Sequence, residues 1–182
     1  MGDPIVLVSY DPDWTRRFKA ERLRLERVLA PWLAGGVHHI GSTAIPGITA
    51  KSIIDMMAGV EDIERARAAF EPLGEEGYAY APHRPGIAHH FAKPSPGSPE
   101  YNLHLTEPGS DLWRERLAFR DVLRGHPELI AKYELLKLRL AQEHPDDRDA
   151  YTGGKRAFVA RVLATVGDTR PPLAGSFGLS GP

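Results

Sequence analysis

Residues 38–57 read His-His-Ile-Gly-Ser-Thr-Ala-Ile-Pro-Gly-Ile-Thr-Ala-Lys-Ser-Ile-Ile-Asp-Met-Met, and the fold turns on this stretch. Residues 37–40 form a strand that enters a glycine turn at Gly41-Ser42, and residues 52–57 form a second, buried strand. A strand ending in Gly-Ser, with Thr43 next, places backbone N–H groups and hydroxyls where a phosphate can be held, because glycine lets the backbone approach closely. Twelve residues separate Ser42 from Asp55, which follows the apolar pair Ile53-Ile54. A carboxylate there can hold a divalent cation against the same phosphates. The same residues also suit a plain turn with a strand-end cap, and on a lone Gly-Ser pair that plainer reading is the favoured one.

Upstream, residues 5–8 are a short apolar run that stops at Asp11-Pro12, a helix start. Phe18, Leu25 and Trp32 fall seven apart with Leu29 between them, so a helix with one apolar face follows, ended by Gly35-Gly36. Downstream, residues 61–70 read as a short helix. The middle of the chain is β-like: Tyr78 and Tyr80 alternate, 87–91 is a candidate strand, and 101–105 is a clear alternating one. Residues 94–99, rich in Pro, Gly and Ser, form a hairpin loop or flap between the last two. Three amphipathic helices then start near Asp111, Pro127 and Arg148. Strands in the front and middle followed by helices give an α+β fold, a mixed sheet backed by helices on one side with a C-terminal helical block. Residues 1–166 form one domain. Residues 167–182 hold four Gly and three Pro and read as a disordered tail.

The chain has 182 residues, 23 Lys and Arg against 24 Asp and Glu, and a formal net charge of -1. Near-neutrality argues against a protein whose task is gripping nucleic acid. With no cysteine, disulfide scaffolds, Cys-ligated metals and thiolate nucleophiles are excluded. No apolar run approaches the roughly 18 residues of a membrane helix, and the amino terminus carries no secretory signal. A cytoplasmic protein with a small-molecule partner is the expectation, its oligomeric state open.

The segment 39–55, the later Phe-Arg-Asp-Val-Leu-Arg-Gly-His-Pro-Glu at 119–128, and the spaced Tyr133, Lys137, Tyr151 and Lys155 resemble the GrpB family of small bacterial proteins, over residues 8–166. That family is similar in fold to nucleotidyltransferases of the polymerase-beta type, and a GrpB-like domain is fused to dephospho-CoA kinase in some actinobacteria. The resemblance implies that Gly41 and Ser42 grip phosphate and that Asp55 is the first of the carboxylates that bind Mg²⁺ with ATP. The second would stand at position 57, where this chain has Met57, and a thioether is a poor ligand for a hard cation. Magnesium on one carboxylate, or a softer metal on Asp55 and His104, fits better. His104 shares a strand face with Asn102, and a surface or satisfied core histidine is the even alternative. Of His38-His39, the match to the family selects His39 as the one nearer the site. His89-His90, beside the loop, reads as a solvent-facing pair.

Lys155 lies on the stripe Tyr151, Phe158, Val162; Lys137 lies beside Tyr133 and Leu140; Arg120 falls seven residues after Trp113. Cations in core-facing stripes are costly unless an anion meets them. Each alone is more simply a snorkelling side chain or an ion pair, for example with Asp121 or Glu134. Together, Arg120, Lys137 and Lys155, with Lys51 and Lys93, suggest convergence on an anionic ligand such as a nucleotide or phosphorylated metabolite. The resulting expectation is a nucleotidyltransferase-like enzyme. In it Gly41, Ser42 and Thr43 hold phosphate, Asp55 and His104 hold metal or do acid–base work, and Lys155 neutralises developing charge during nucleotidyl or phosphoryl transfer or activation of a small metabolite. Two rivals remain: a metal-independent acid–base enzyme on a small metabolite in a specialised biosynthetic pathway, and a non-catalytic nucleotide- or CoA-binding module.

Overall fold

In the computed structural model, which describes residues 4–82 and 86–165, Asp11 opens the first helix by accepting the N–H of Asp13 at 2.9 Å. That helix, α1 (Asp13–Val28), buries Trp14, Glu21 and Leu25. Strand β1 (Leu33–Ile40) follows, then a 3-10 turn (Ser42–Ala44) and β2 (Ile54–Val60). A second 3-10 turn (Arg65–Ala69) runs into α2 (Phe70–Glu75). Next come β3 (Ala79–Tyr80), β4 (His89–Lys93) and β5 (Tyr101–Thr106). The chain then turns helical in α3 (Asp111–Gly125), α4 (Pro127–Glu143), α5 (Arg148–Gly153) and α6 (Arg156–Ala164).

The five strands form one mixed sheet in the order β1-β2-β5-β4-β3. Only β2 and β5 pair in parallel, with Asp55 level with Asn102 and Met57 level with His104. Because side chains alternate along a strand, the sheet has two distinct faces. Ile54, Met56, Ala58, Phe91, Leu103 and Leu105 pack with Trp14, Leu25, Ala66 and Leu73 in one core, under α1 and α2. Asp55, Met57 and Gly59 face the other way, where Trp113 of α3 lies against Gly59. A second core joins Phe119 and Leu123 of α3 to Tyr133 of α4 and Phe158, Val159 and Val162 of α6. Helices therefore cover both faces of the sheet rather than one, and the C-terminal block builds its own core above the Asp55 face.

The remaining departures from the sequence reading have local causes. Gly35-Gly36 does not end α1 but lies inside β1, at an irregularity in the pairing with β2. A Cβ on Gly35 would come within 2.8 Å of Pro108 and of Trp113, so the glycine is there to let α3 sit close. The helix expected over 61–70 begins as a 3-10 turn and becomes α-helical only from Phe70, one turn later. The third C-terminal helix is split in two at Gly153-Gly154, where the backbone passes against Leu140. Residues 5–8 contribute a single antiparallel bridge, Val8 to Ala50. The expected tail, 167–182, lies outside the described residues. Among those described, no helix is long and apolar enough to cross a membrane.

Gly59 gives a test of the close packing between sheet and α3. An added Cβ would stand 2.8 Å from the Gly35 Cα and 2.9 Å from Pro108 and Trp113. Gly59→Ala is expected to lower stability by about 1–3 kcal/mol, the usual cost of overpacking. Urea unfolding measures it, and an unchanged midpoint would contradict this packing.

Candidate functional site

The turn after β1 is built around one close approach. Gly41 has φ 71°, a conformation that favours glycine. A Cβ added to it would overlap Asp55 Oδ2 and lie 3.0–3.1 Å from that residue's Cβ and Cγ. The space a side chain would fill at position 41 thus belongs to the Asp55 carboxylate. The other carboxylate oxygen, Oδ1, accepts the Asn102 side-chain amide at 2.8 Å.

Beyond Gly41 the backbone is pinned from several sides. The Thr43 hydroxyl donates to the Ile53 carbonyl at 3.0 Å, and its oxygen is 3.0 Å from His39 Nε2. A hydroxyl has one hydrogen, so His39 is the donor and carries its proton on Nε2. Burial, with Arg124 and Arg120 nearby, lowers the His39 pKa to about 3, which keeps the ring neutral. Arg120 donates to the His39 carbonyl at 3.1 Å and Arg124 to the Ala44 carbonyl at 2.9 Å. From α4, Glu134 accepts the Thr49 N–H at 2.9 Å while the Lys137 ammonium donates to the Thr49 carbonyl. Both backbone polar groups of Thr49 are thereby held by residues three apart on one helix face.

Beside this turn lies a cavity of about 110 Å³. Its floor is Asp55 and Asn102 from the sheet, with Gly41, Ser42, Thr43 and Lys51 at one side. Arg116 and Phe119 of α3, Tyr133 and Lys137 of α4, Tyr151 and Thr152 of α5, and Lys155 at the start of α6 close the other side. The cations are spaced by aromatic rings: Lys155 Nζ is 4.3 Å and Lys51 Nζ 5.8 Å from the Tyr151 ring centre, and Lys137 Nζ is 5.1 Å from that of Tyr133. Such contacts soften the burial of a cation without neutralising it.

The electrostatics record the crowding. Burial, then the positive charges of Lys51 and Lys137, lower the Lys155 pKa to about 7, against a partial counter-pull from Asp55. Burial lowers Lys137 to about 8, with Glu134 opposing. Burial also lowers Lys51, against Asp55, and lowers Arg116. Tyr133 is pushed up to about 12 by burial, although a hydrogen bond with Ser42 and the charge of Arg116 pull it down. Groups that prefer to shed a proton here would regain it beside an anion.

The structure gathers Gly41, Ser42, Thr43, Lys51, Asp55, Lys137 and Lys155 around one cavity, and places three expected partners elsewhere. Lys93 lies on the α1 face of the sheet, bonded at 2.8 Å to the buried Glu21, which also accepts the Tyr78 hydroxyl at 2.9 Å. Arg120 grips the turn's backbone and pairs with Asp121 at 2.7 Å, so it positions the loop instead of lining the cavity. His104 shares the sheet face of Asp55 but is level with Met57, and its ring packs 4.8 Å from that of His90. His39 likewise points away, stacked at 4.6 Å on Phe18 of α1. His89 and His90, expected at the surface, are both buried, His89 bonded to the Ile63 carbonyl at 2.8 Å and His90 3.3 Å from that of Ala81. They sit on β4, an inner strand, where an unbonded imidazole would be costly.

Asn102, Arg116 and Thr152 are polar cavity residues that were given no role from the sequence. Arg116 had a signal: it falls four residues after Leu112 and three before Phe119, both core positions, so it too is a cation on a buried stripe. The donor set does not suit a divalent metal pair. Among the described residues Asp55 is the one carboxylate in the cavity lining, already holding Asn102, and Met57 is fully buried. Among the described residues no three His, Cys, Asp or Glu side chains converge to hold a metal ion.

A mixed sheet with a Gly-Ser turn opposite a strand carboxylate, roofed by a helical block, defines a domain of the nucleotidyltransferase fold. The GLD-2/RNP-8 complex shares it at 13% identity with a TM-score of 0.55, over 92% of this chain and 64% of that one. So does a Cid1 structure described for its RNA terminal uridylyl transferase activity, at 15% and 0.50, over 89% and 49%. Within that class, the chain belongs to the GrpB family: the family model described as GrpB protein matches residues 4–165. The UPF0157 protein of Deinococcus radiodurans is 38% identical over 164 residues, 90% of this chain and 83% of its own. The crystal structure of the conserved protein GrpB from Enterococcus faecalis superposes with a TM-score of 0.80 at 31% identity, over 88% of this chain and 96% of that one. Some relatives are much longer. The chain spans 45% of the UPF0157 protein YqkA of Bacillus subtilis, at 32% identity over 85% of this chain. It spans 44% of a Mycolicibacterium paratuberculosis protein called dephospho-CoA kinase, at 30% identity over 85% of this chain.

The lysine cluster has a consequence for stability that needs no ligand. An unfolded chain keeps the Lys155 proton up to about its ordinary 10.5, whereas the folded chain releases it near about 7. Between those values the unfolded state binds more protons, so stability of the ligand-free protein rises with pH, the reverse of an ion-paired lysine. Lys155→Met is expected to raise the stability at pH 7 by about 1 kcal/mol or more and to flatten the rise between pH 7 and 9. Thermal unfolding across that range reads both effects. A variant less stable than the parent would show that Lys155 is held by favourable native contacts instead.

Proposed function

We propose that the cavity binds the phosphate groups of a nucleotide such as ATP and that the protein acts on them as a nucleotidyl or phosphoryl transferase. The observation that supports this is the convergence of Lys51, Lys137 and Lys155 on a space whose one carboxylate, among the described residues, is Asp55, at a Gly-Ser turn. Buried and half-buried cations in such excess are costly unless an anion occupies the space between them. The cavity of about 110 Å³ is small beside the roughly 300–1,000 Å³ of sites that enclose a whole drug-sized ligand, so it suits phosphate groups with the nucleoside at its mouth. During transfer the fixed cations would stabilise charge developing on the transferred group. Asp55, which lines the cavity with one oxygen bonded to Asn102, would accept a proton from an attacking hydroxyl.

One observation favours a second reading, a nucleotide- or CoA-binding module without chemistry. Met57 stands where a second carboxylate would complete a two-metal centre, and the matched relative called dephospho-CoA kinase is more than twice the length of the matched part. Calorimetric titration with ATP, CoA and inorganic pyrophosphate separates the readings when coupled to ³¹P NMR of the ATP mixture. Binding weakened at least tenfold in Lys137→Met and Lys155→Met, with turnover of ATP in the presence of small hydroxyl or carboxylate acceptors, is the expected result. Binding without turnover across such acceptors supports the module, and absence of binding overturns both.

A further inference from the structure

The cavity is rich in cations and poor in metal ligands, and the two facts belong together. Among the described residues, with the lysines protonated and Asp55 ionised, the three lysines of the lining exceed its one carboxylate by two formal charges. A hard divalent cation seeks several oxygen ligands, carboxylates first. Among the described residues the one carboxylate it would find is Asp55, with one oxygen bonded to Asn102 and the other against the backbone of Gly41, and the remaining side-chain oxygens of the lining are neutral hydroxyls and the Asn102 amide oxygen. Two residues further along β2, on the same face, Met57 is fully buried and offers a hard cation no oxygen. A magnesium ion on the incoming phosphates would also cancel about two of the negative charges that the cations are placed to meet.

Resting on the phosphate-ligand reading above, we propose that this cavity holds the phosphate chain of its ligand without a divalent cation. Lys51, Lys137 and Lys155 supply the charge that a bound metal would otherwise supply, and Lys155 takes up a proton as the anion enters. Lys155 faces Lys51 from the segment before β2, Asp55 on β2, Arg116 on α3, Tyr133 and Lys137 on α4, and Tyr151 on α5. Of these, the tyrosines stay neutral, because burial raises both. With a pKa of about 7 in the empty cavity, Lys155 is partly neutral near physiological pH. An oxyanion within reach of its ammonium reverses the repulsion that depresses it. Affinity therefore falls as pH rises above about 7, by up to about tenfold per pH unit for one linked proton.

The test is calorimetry on the full chain with inorganic triphosphate and with ATP, in EDTA and in excess Mg²⁺, at pH 7, 8 and 9. Binding in EDTA as tight as, or tighter than, in Mg²⁺ is expected, with buffer-dependent heat reporting proton uptake at pH 8. Lys155→Met and Lys51→Gln should each weaken that metal-free binding by about 10–100-fold. Lys51 lies outside any helix or strand and is partly exposed, so its variant guards against a folding failure. Binding seen only with Mg²⁺ and lost in Asp55→Asn would overturn the proposal while leaving the phosphate ligand in place. Metal-free binding indifferent to both lysine variants would overturn it as well. No binding of either phosphate under any condition would overturn it together with the reading on which it rests.

Discussion

The site hangs on a steric exchange between two residues, the missing side chain of Gly41 and the carboxylate of Asp55 that occupies its place. The exchange requires Ile40 and Asp55 to be level across the β1–β2 pair, which they are. It also requires the chain to leave β1 with a positive φ, and only a glycine does that at little cost. From there the loop has little freedom. Arg120 and Arg124 hold its first carbonyls, Thr43 closes onto Ile53, and Thr49 is gripped at both ends by α4. Helices from the C-terminal block therefore complete the loop mechanically as well as lining the cavity electrically. Lys137 does both, since its ammonium touches the Thr49 carbonyl and also borders the cavity.

The two cores divide the labour. The face beneath α1 and α2 is apolar and supplies cohesion, and its one buried acid, Glu21, is satisfied by Tyr78 and Lys93. The opposite face carries Asp55, Asn102 and the cations, and leaves charge in excess. A structure that tolerates mutual repulsion among Lys51, Lys137 and Lys155 gives up native stability locally, as sites under functional constraint commonly do. Rigid support from α3 and α4 keeps that repulsion from being relieved by a shift of the loop.

Much of the fold was legible because it is written in local chemistry. Ser110 accepts the Trp113 N–H at the start of α3, Pro127 begins α4, and Asp147 accepts the Ala150 N–H at the start of α5, so the three helix starts followed from their caps. Alternation placed 101–105 as a strand, which the structure extends by one residue to Thr106, and the Gly41-Ser42 turn and Asp55 lie on one cavity. What failed was long-range. Lys93 and Lys137 look alike in sequence, yet Lys93 faces α1 and finds Glu21, a partner 72 residues away. Arg120 shares a buried stripe, but its reach ends on the backbone carbonyl of His39. His89-His90 resembled a surface pair because they lie beside the 94–99 loop, and only the sheet order shows that β4 is internal. Gly35 and Gly59 carried no local sign that α3 presses on both.

Met57 also bears on what this domain can become. Its side chain is wholly enclosed, between His38 on one neighbouring strand and His104 on the other. An aspartate introduced there would arrive as a buried charge, with no metal to meet it until further ligands were supplied. A single codon change thus passes through an unstable intermediate on the way to a two-metal centre. Turning this face of the sheet into a two-metal centre would therefore take changes at several positions together rather than at Met57 alone.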